Sequence, residues 1–329
     1  MSTTEAPAAR RVQVGDGAQG DGRAPPDRPL TPTLSRKGRG GEGWGGHDVW
    51  ASPWLLAAPA IVLLVLFLGA PYADMVVMSL RTAGHGAPYG SGFTLHHYAE
   101  ALGNPVYLGA LGRSLLLGGI VTLGCLILSY PVALHLAKAG RSHLFFYAIV
   151  ISPLLVGVLV RNFGWLIILS VSGPLNQVLR GLGLIDAPLR LLFTQGAVAL
   201  GLIHVFVPFM VLPIAGALRK VPPDLADASE ALGAGRWHTF WHVTLPLSFP
   251  GIQAGTILVF VLAVSAYVTP ALLGGQGRTF LSILTVQELL GSFAWPLGAT
   301  LALVMAAAMG LVVLAFLFAT RRLAERTAR

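Results

Sequence analysis

The sequence predicts an all-α integral membrane protein with six transmembrane helices. Of its 329 residues, 54% are hydrophobic and 11% are charged, and the mean hydropathy is +0.71. The apolar residues are gathered into six runs, each long enough for a helix of about 20 residues to cross a bilayer. Lys and Arg are unequally divided among the segments that flank these runs. This composition is far too apolar for a water-soluble domain.

Residues 1–50 differ from the rest of the chain. They are rich in Gly and Pro, carry seven Lys or Arg against six Asp or Glu, and have almost no apolar clustering. Such a composition predicts a disordered tail, followed by a six-span domain over residues 51–329. The six spans are expected at Leu55–Ser79, Ser114–Ala137, Leu144–Ser170, Gly196–Leu218, Pro250–Gly274 and Pro296–Thr320.

The distribution of positive charge predicts the orientation of the chain. The seven flanking segments contain 7, 2, 2, 2, 3, 1 and 4 Lys or Arg in order, so that alternate segments hold 16 and 5. Because cytoplasmic loops carry the excess, both termini and the loop at about residues 219–247 are expected in the cytoplasm. The basic residues accompany apolar runs rather than a polar domain, so the net charge of +8 does not indicate nucleic-acid binding.

Two loops have patterns of their own. On the outer side, the segment FLSILTVQELLGSFAW places Leu281, Leu284, Glu288 and Phe293 at spacings that favour a short amphipathic helix, which would either receive an external partner or pack at the interface. On the cytoplasmic side, Pro222 and Pro223 precede a helix start, and Gly233 supplies a left-handed stop. One face of this cytoplasmic helix carries residues at the i, i+3, i+4, i+7 spacing, namely Leu225, Ala228, Ser229 and Leu232.

A helix this short is unstable alone, so it either docks onto a partner or lies on the membrane surface. Its sequence resembles the cytoplasmic "EAA" loop of binding-protein-dependent ABC importer permeases. That loop reads EAA, three residues, Gly, nine residues, an aliphatic residue, one residue and Leu-Pro. The matching positions here are Asp227, Ala228, Ser229, Gly233, Val243, Leu245 and Pro246. Asp for Glu and Ser for Ala are the departures, and they keep the charge and the small size.

Within that family the chain is most similar to spermidine/putrescine-type permeases. The similarity lies in VRNFGWLIILSVSGPLN (Val160–Asn176), TPALLGG (Thr269–Gly275) and the WPLGA that follows Ala294. The resemblance implies a type I importer fold in a bacterial inner membrane, a second permease subunit, two ATP-binding subunits and an extracytoplasmic solute-binding protein. It also implies that the EAA-like helix couples to the ATPase. No GxxxxGK[ST] motif occurs, so we expect no cofactor in this chain, with ATP and Mg²⁺ used by the partner ATPase.

Several polar residues fall inside or beside the expected spans, where they are costly unless they are paired or face water. The candidates for the solute pathway are Asp74, Arg161, Asn162, Trp165, Tyr267 and Glu288. Asp74 and Arg161 are expected at matching depth, so they alternatively form a structural pair, or Arg161 snorkels beside Trp165. For a polyamine solute, Asp74 and Glu288 are the acids best placed to meet its ammonium groups.

Other interpretations rest on weaker signals. His238 and His242 have a spacing that zinc sites use, but the interleaved aromatic residues favour a membrane-interface segment, so no metal site is expected. His135 and His204 are interpreted as packing residues. A secondary transporter coupled to protons through Asp74 leaves the EAA-like loop unexplained. An intramembrane hydrolase would need an embedded nucleophile and base, and the sequence has one embedded Asp and no GxSxG motif.

Overall fold

The computed structural model describes residues 53–84, 89–138, 143–222, 224–274 and 279–327. The expected tail over residues 1–50 lies outside them. The chain divides into two units, Met1–Ala57 and Ala58–Arg329, and the helical body discussed below is the second. Apart from one isolated bridge between Arg81 and Phe93, the regular structure in the described ranges is helical, which confirms the expected fold class.

Thirteen α-helices and two π-helical turns, π1 and π2, make up the described regular structure. The long helices are α1 (Pro53–Ser79), α3 (Pro105–Lys138), α7 (Gln195–Leu218), α10 (Leu245–Ser265) and α13 (Trp295–Thr327). The shorter ones are α2 (His96–Gly103), α4 (His143–Leu155), α5 (Val158–Ile168), α6 (Pro174–Gly181), α8 (Asp224–Ala231), α9 (Arg236–Thr239), α11 (Val268–Leu273) and α12 (Leu281–Val286). The π turns are π1 (Phe240–Thr244) and π2 (Gln287–Gly291).

Five helices in the described ranges are long and apolar enough to cross a membrane, and the bent pair α4 and α5 makes a sixth span when the two helices are counted as one. The expected third span, Leu144–Ser170, is therefore wrong as a continuous helix, because it breaks after Leu155 with a bend of 89°. Pro153 lies in the last turn of α4, and Gly157 precedes α5 with φ −54° and ψ 143°. Proline removes a helical N–H, and an extended residue cannot continue the helix.

The expected fifth span, Pro250–Gly274, also needs correction. The helix that crosses the membrane here starts earlier and ends at Ser265, after which Ala266 is extended and α11 begins separately. The outer amphipathic segment is likewise shorter than expected. It consists of α12 and π2, and it does not reach Phe293, which has a left-handed φ of 54°.

The core is a bundle of α3, α7 and α10. Val121, Val211 and Val259, one from each helix, are fully buried. Small residues allow the backbones to approach closely, as in other membrane helices. A Cβ built on Gly251 of α10 would lie 2.6 Å from the Pro213 carbonyl oxygen of α7.

The outermost helix in this chain is α1. Between Pro59 and Val77 every residue of α1 except Met75 is exposed. Its C-terminal end contacts α13, because the Thr300 hydroxyl donates to the Ser79 carbonyl oxygen at 3.3 Å.

Candidate functional site

The cytoplasmic-loop motif predicted from the sequence forms α8 and the turn that ends it. Gly233 has φ +88°, the left-handed conformation that the sequence predicted. The Gly233 N–H donates to the Glu230 carbonyl at 2.9 Å, and the Ala234 N–H donates to the Ser229 carbonyl at 3.1 Å. This pair of bonds is the Schellman motif, which satisfies carbonyls at a helix C-terminus. A Cβ on Gly233 would meet nothing within 4 Å, so the backbone conformation alone requires glycine.

The predicted face of α8 divides into an exposed part and an inward part. Leu225 and Leu232 are 44% and 89% exposed, and Ala228 is exposed between them. Ser229 instead turns toward the following segment, where its Oγ lies 3.0 Å from Oγ1 of the buried Thr239. The side chain of Asp227 lies outside the described residues. The exposed face of α8 is therefore narrower than the sequence pattern suggested.

The segment after the turn is one continuous helix of 30 residues, Arg236–Ser265, formed by α9, π1 and α10. We call it the rod. Leu245 and Pro246 lie inside the rod, and the Leu245 N–H donates to the Phe240 carbonyl. The π turn directly precedes Pro246, which has no N–H and whose ring would press on the carbonyl four residues earlier. The Leu-Pro pair thus lies where the rod changes from π-helical to α-helical geometry.

Aromatic contacts connect the beginning of the rod to the membrane bundle. Trp237 and Phe240 stack with ring centroids 5.8 Å apart. Phe240 meets Tyr130 of α3 edge-on at 5.6 Å, and the Tyr130 hydroxyl lies 3.0 Å from Ser248 Oγ of α10. The start of the rod, which contacts α8, is therefore joined by successive side-chain contacts to the core helices α3 and α10.

The two histidines at the start of the rod stack on each other. The His238 and His242 rings stack at 3.9 Å, and His242 Nδ1 lies 3.1 Å from the His238 carbonyl oxygen. Within the described ranges no three His, Cys, Asp or Glu side chains are grouped to hold a metal ion.

Arg161, a candidate for the solute pathway, caps the broken third span. Its Nη2 donates to the carbonyl of Pro153, in the last turn of α4, and to the carbonyl of Val156, the residue that follows α4. A cation is also favoured at the negative end of a helix. Asp74 is exposed on α1, and it forms no ion pair with Arg161, since the ion pair found among the described side chains joins His97 and Glu100. The alternative of an Asp74–Arg161 pair is therefore wrong.

The remaining pathway candidates lie in two places. Asn162 is buried and donates to the Val158 carbonyl of its own helix at 2.9 Å. Trp165 Nε1 donates to His204 Nδ1 at 3.2 Å, which connects α5 to α7. Tyr267 is 41% exposed and immediately precedes α11, the helix against which α5 packs.

Glu288 is separate from this group. It lies in π2, where Tyr107 of α3 donates to its Oε1 at 3.5 Å.

Sequence reasoning missed His204, which was interpreted as a packing residue. It is exposed, and it is the acceptor that fixes the Trp165 indole. The available signal was a single polar residue inside the apolar run of α7, which by itself does not identify a partner on another helix.

Comparison with known proteins places these features in context. Residues 126–329 match the family model described as "Binding-protein-dependent transport system inner membrane component". The "Spermidine/putrescine transport system permease protein PotB" of Salmonella typhimurium is 36% identical over 266 residues, which cover 80% of this chain and 92% of the relative. The same-named protein of Haemophilus influenzae is 33% identical over 263 residues, covering 79% and 91%.

Solved structures give the same fold. The crystal structure of a bacterial ABC transporter "involved in the import of the acidic polysaccharide alginate" contains a chain that superposes with a TM-score of 0.66 at 19% identity. The superposition covers 82% of this chain and 96% of that one. A second structure, of the alginate transporter "in complex with alginate pentasaccharide-bound periplasmic protein", gives a TM-score of 0.67 at 18% identity and covers 84% and 98%.

Proposed function

This chain belongs to the binding-protein-dependent transport system inner membrane component family and is an inner membrane permease subunit of an ABC importer. From that premise, we propose that α8 couples the subunit to a separate ATPase. The observation that carries the proposal is the exposed apolar face formed by Leu225, Ala228 and Leu232. It is presented by a helix of about 12 Å that is too short to be stable without a further contact. Recognition of such a helix in a groove is a common peptide-binding mode.

The attachment of α8 to the rod explains how docking would move the membrane domain. The Ser229–Thr239 hydrogen bond and the Schellman turn at Gly233 fix α8 to the start of the rod. The rod then continues into α10 without a flexible loop. Movement of the ATPase groove would therefore be transmitted as a movement of a core helix. Two ATP-binding subunits, a second permease subunit and a solute-binding protein complete the proposed importer, with ATP and Mg²⁺ bound by the ATPase.

We propose that the broken third span borders the solute pathway. Bilayer lipid cannot satisfy non-helical backbone, so such a break occurs where protein or a water-filled cavity covers it. In this chain Leu155 is 82% exposed, and a Cβ on Gly157 would meet nothing within 4 Å. We expect the exposed Tyr267 and the Trp165–His204 pair to line the pathway, because α5 packs against α11 beside the break. Arg161 acts here as a positioning residue for the break.

The proposed solute class is a polyamine, because the relatives named as spermidine/putrescine permeases cover most of this chain. Asp74 and Glu288 remain the proposed acidic contacts for its ammonium groups. Asp74 is exposed, and Glu288 is partly exposed beside Tyr107.

The coupling proposal is tested with two bulky substitutions on α8. Ala228→Trp fills the exposed face, whereas Glu230→Trp adds the same bulk about 200° around the helix. At equal membrane levels we expect Ala228→Trp to lose both ATPase association and uptake of radiolabelled putrescine, and Glu230→Trp to retain them. Equal behaviour of the two variants would contradict the face assignment. Normal ATPase association without polyamine uptake in the unmodified chain would overturn the solute and leave the coupling role standing.

A further inference from the structure

We propose that Trp237 and Trp241 form an indole face beside α8 that meets the bilayer surface, with Trp241 in the phospholipid headgroup layer, and that this contact fixes the depth of the rod in the bilayer. The two side chains are four residues apart on the rod and are 74% and 49% exposed. Their rings meet edge to face at 5.8 Å. They therefore present one contiguous aromatic surface rather than two scattered side chains.

The indole face points away from α8. Thr239 is buried, and its hydroxyl contacts Ser229 of α8. Residues two positions before and after Thr239 lie about 200° around a helix from it. Trp237 and Trp241 occupy these positions, so the docking face of α8 and the indole face are on opposite sides of the start of the rod. A groove that receives α8 has no need to cover the indoles.

The length of the rod sets the depth of the indoles. The 21 residues of α10 span about 31 Å, which matches a hydrocarbon core of about 30 Å. Trp241 and Trp237 precede Leu245 by four and eight residues, so their Cα atoms lie about 6 Å and about 12 Å beyond that core. The headgroup layer is about 5–8 Å thick on each side, and Trp is enriched there. The Cα of Trp241 is thus expected within the layer, and the Cα of Trp237 about 4–7 Å beyond it on the cytoplasmic side.

The charge around the indole face suits an anionic lipid surface. Arg236 begins the rod, and the sequence contains no Asp or Glu between Ala231 and Ser265. Basic residues at a membrane surface are attracted to anionic headgroups, whereas acidic residues would be repelled. Among the residues of the rod itself, the other titratable side chains are His238 and His242, which stack on the flank between the two faces.

A matched set of spin labels tests the orientation. In a Cys125→Ser background, nitroxides are attached after Trp237→Cys and Trp241→Cys, with His238→Cys and His242→Cys as controls on the neighbouring flank. The protein is held in nanodiscs of phosphatidylcholine and phosphatidylglycerol. We expect the ratio of oxygen to nickel-chelate collisions to be higher at 241 than at 238 and 242, and the ratio at 237 to approach that of a label in water. Equal ratios, or a higher ratio at 238 and 242, would overturn the proposal.

A second measurement keeps the native side chains. Lipids brominated near the headgroup end of the acyl chain quench nearby indoles, and the chain contains seven Trp. Trp237→Phe/Trp241→Phe should lower the quenchable fraction of the emission, whereas Trp165→Phe, deeper in the bundle, should leave it unchanged. An unaltered fraction in the double variant would show that the indoles do not reach the bilayer. Protection of wild-type emission on adding the ATPase would assign the face to a protein interface and equally refute the proposal.

Discussion

Replacement of Gly233 isolates the backbone conformation that ends α8. With φ +88° and no atom within 4 Å of a built Cβ, a serine here has room for its side chain but is forced into the left-handed region. That conformation costs a residue with a side chain about 1–2 kcal/mol. A change of this size lowers the population of the native turn by about 5- to 30-fold relative to competing shapes. If only the native turn presents α8 correctly, uptake should fall, and a factor in this range is the upper limit of the loss.

The control lies two residues away. Gly235 has φ −69° and ψ 157°, also has nothing within 4 Å of a built Cβ, and precedes the first turn of α9, where serine is a favoured N-cap. Gly235→Ser should therefore leave ATPase association and uptake unchanged. Gly233→Asn should fall between Gly233→Ser and the wild type, because asparagine tolerates the left-handed region. All variants are compared at equal membrane level. Equal uptake by Gly233→Ser and Gly235→Ser would refute the role assigned to the turn.

Three further substitutions test the packing and capping described above. Gly251→Ala should destabilise the bundle by about 1–3 kcal/mol, because its Cβ would press on the backbone of α7. Gly216→Ala adds a Cβ that faces open space, so it should stabilise α7 by up to about 1 kcal/mol. A reversed order of the melting temperatures of the two variants in detergent would contradict this. Arg161→Met should leave the carbonyls of Pro153 and Val156 without this donor, at about 1–3 kcal/mol each, and accelerate proteolysis at the break; wild-type resistance would argue against the cap. Ser229→Ala and Thr239→Val should each weaken the attachment of α8, and the double-mutant cycle should give a coupling energy of about 0.5–1.5 kcal/mol in hydrogen exchange of α8; additive effects would exclude a direct bond.

Most of the helices were predictable because apolar runs of span length have one stable solution in a bilayer. The left-handed turn at Gly233 was predictable for a similarly local reason, since glycine adopts that conformation without a side-chain penalty. These features depend on residues that are adjacent in sequence. They require no knowledge of which helices touch.

The break in the third span was not predicted, although both of its causes are in the sequence. Leu144–Ser170 is almost uniformly apolar, so averaged hydropathy passes over Pro153 and Gly157. Several spans here contain prolines without breaking, including Pro213 in α7. Proline alone therefore does not distinguish a bend of 89° from a tolerated irregularity, and the difference depends on the extended residue that follows.

The alternative of an Asp74–Arg161 pair was wrong for a related reason. A charged side chain inside an apolar run can be stabilised either by a polar partner on another helix or by carbonyls of its own local backbone. Its sequence position suggested Asp74 as a partner, but the break releases carbonyls only five and eight residues away. The cap became available only because the helix ended, so the error about the span led to the error about the pair.

Close packing along the rod determines where a movement of α8 can go. A Cβ built on Gly255 would lie 2.6 Å from Met210 Sδ of α7, and a Cβ built on Gly251 would lie equally close to the Pro213 carbonyl oxygen of α7. At such contacts two helices cannot slide past each other without first separating, because the interface is already at van der Waals distance. A displacement at Thr239 is therefore expected to carry α7 and α10 together. Since α10 ends at Ser265, shortly before Tyr267 and α11, its C-terminal end would move next to α5 and the break that Arg161 caps.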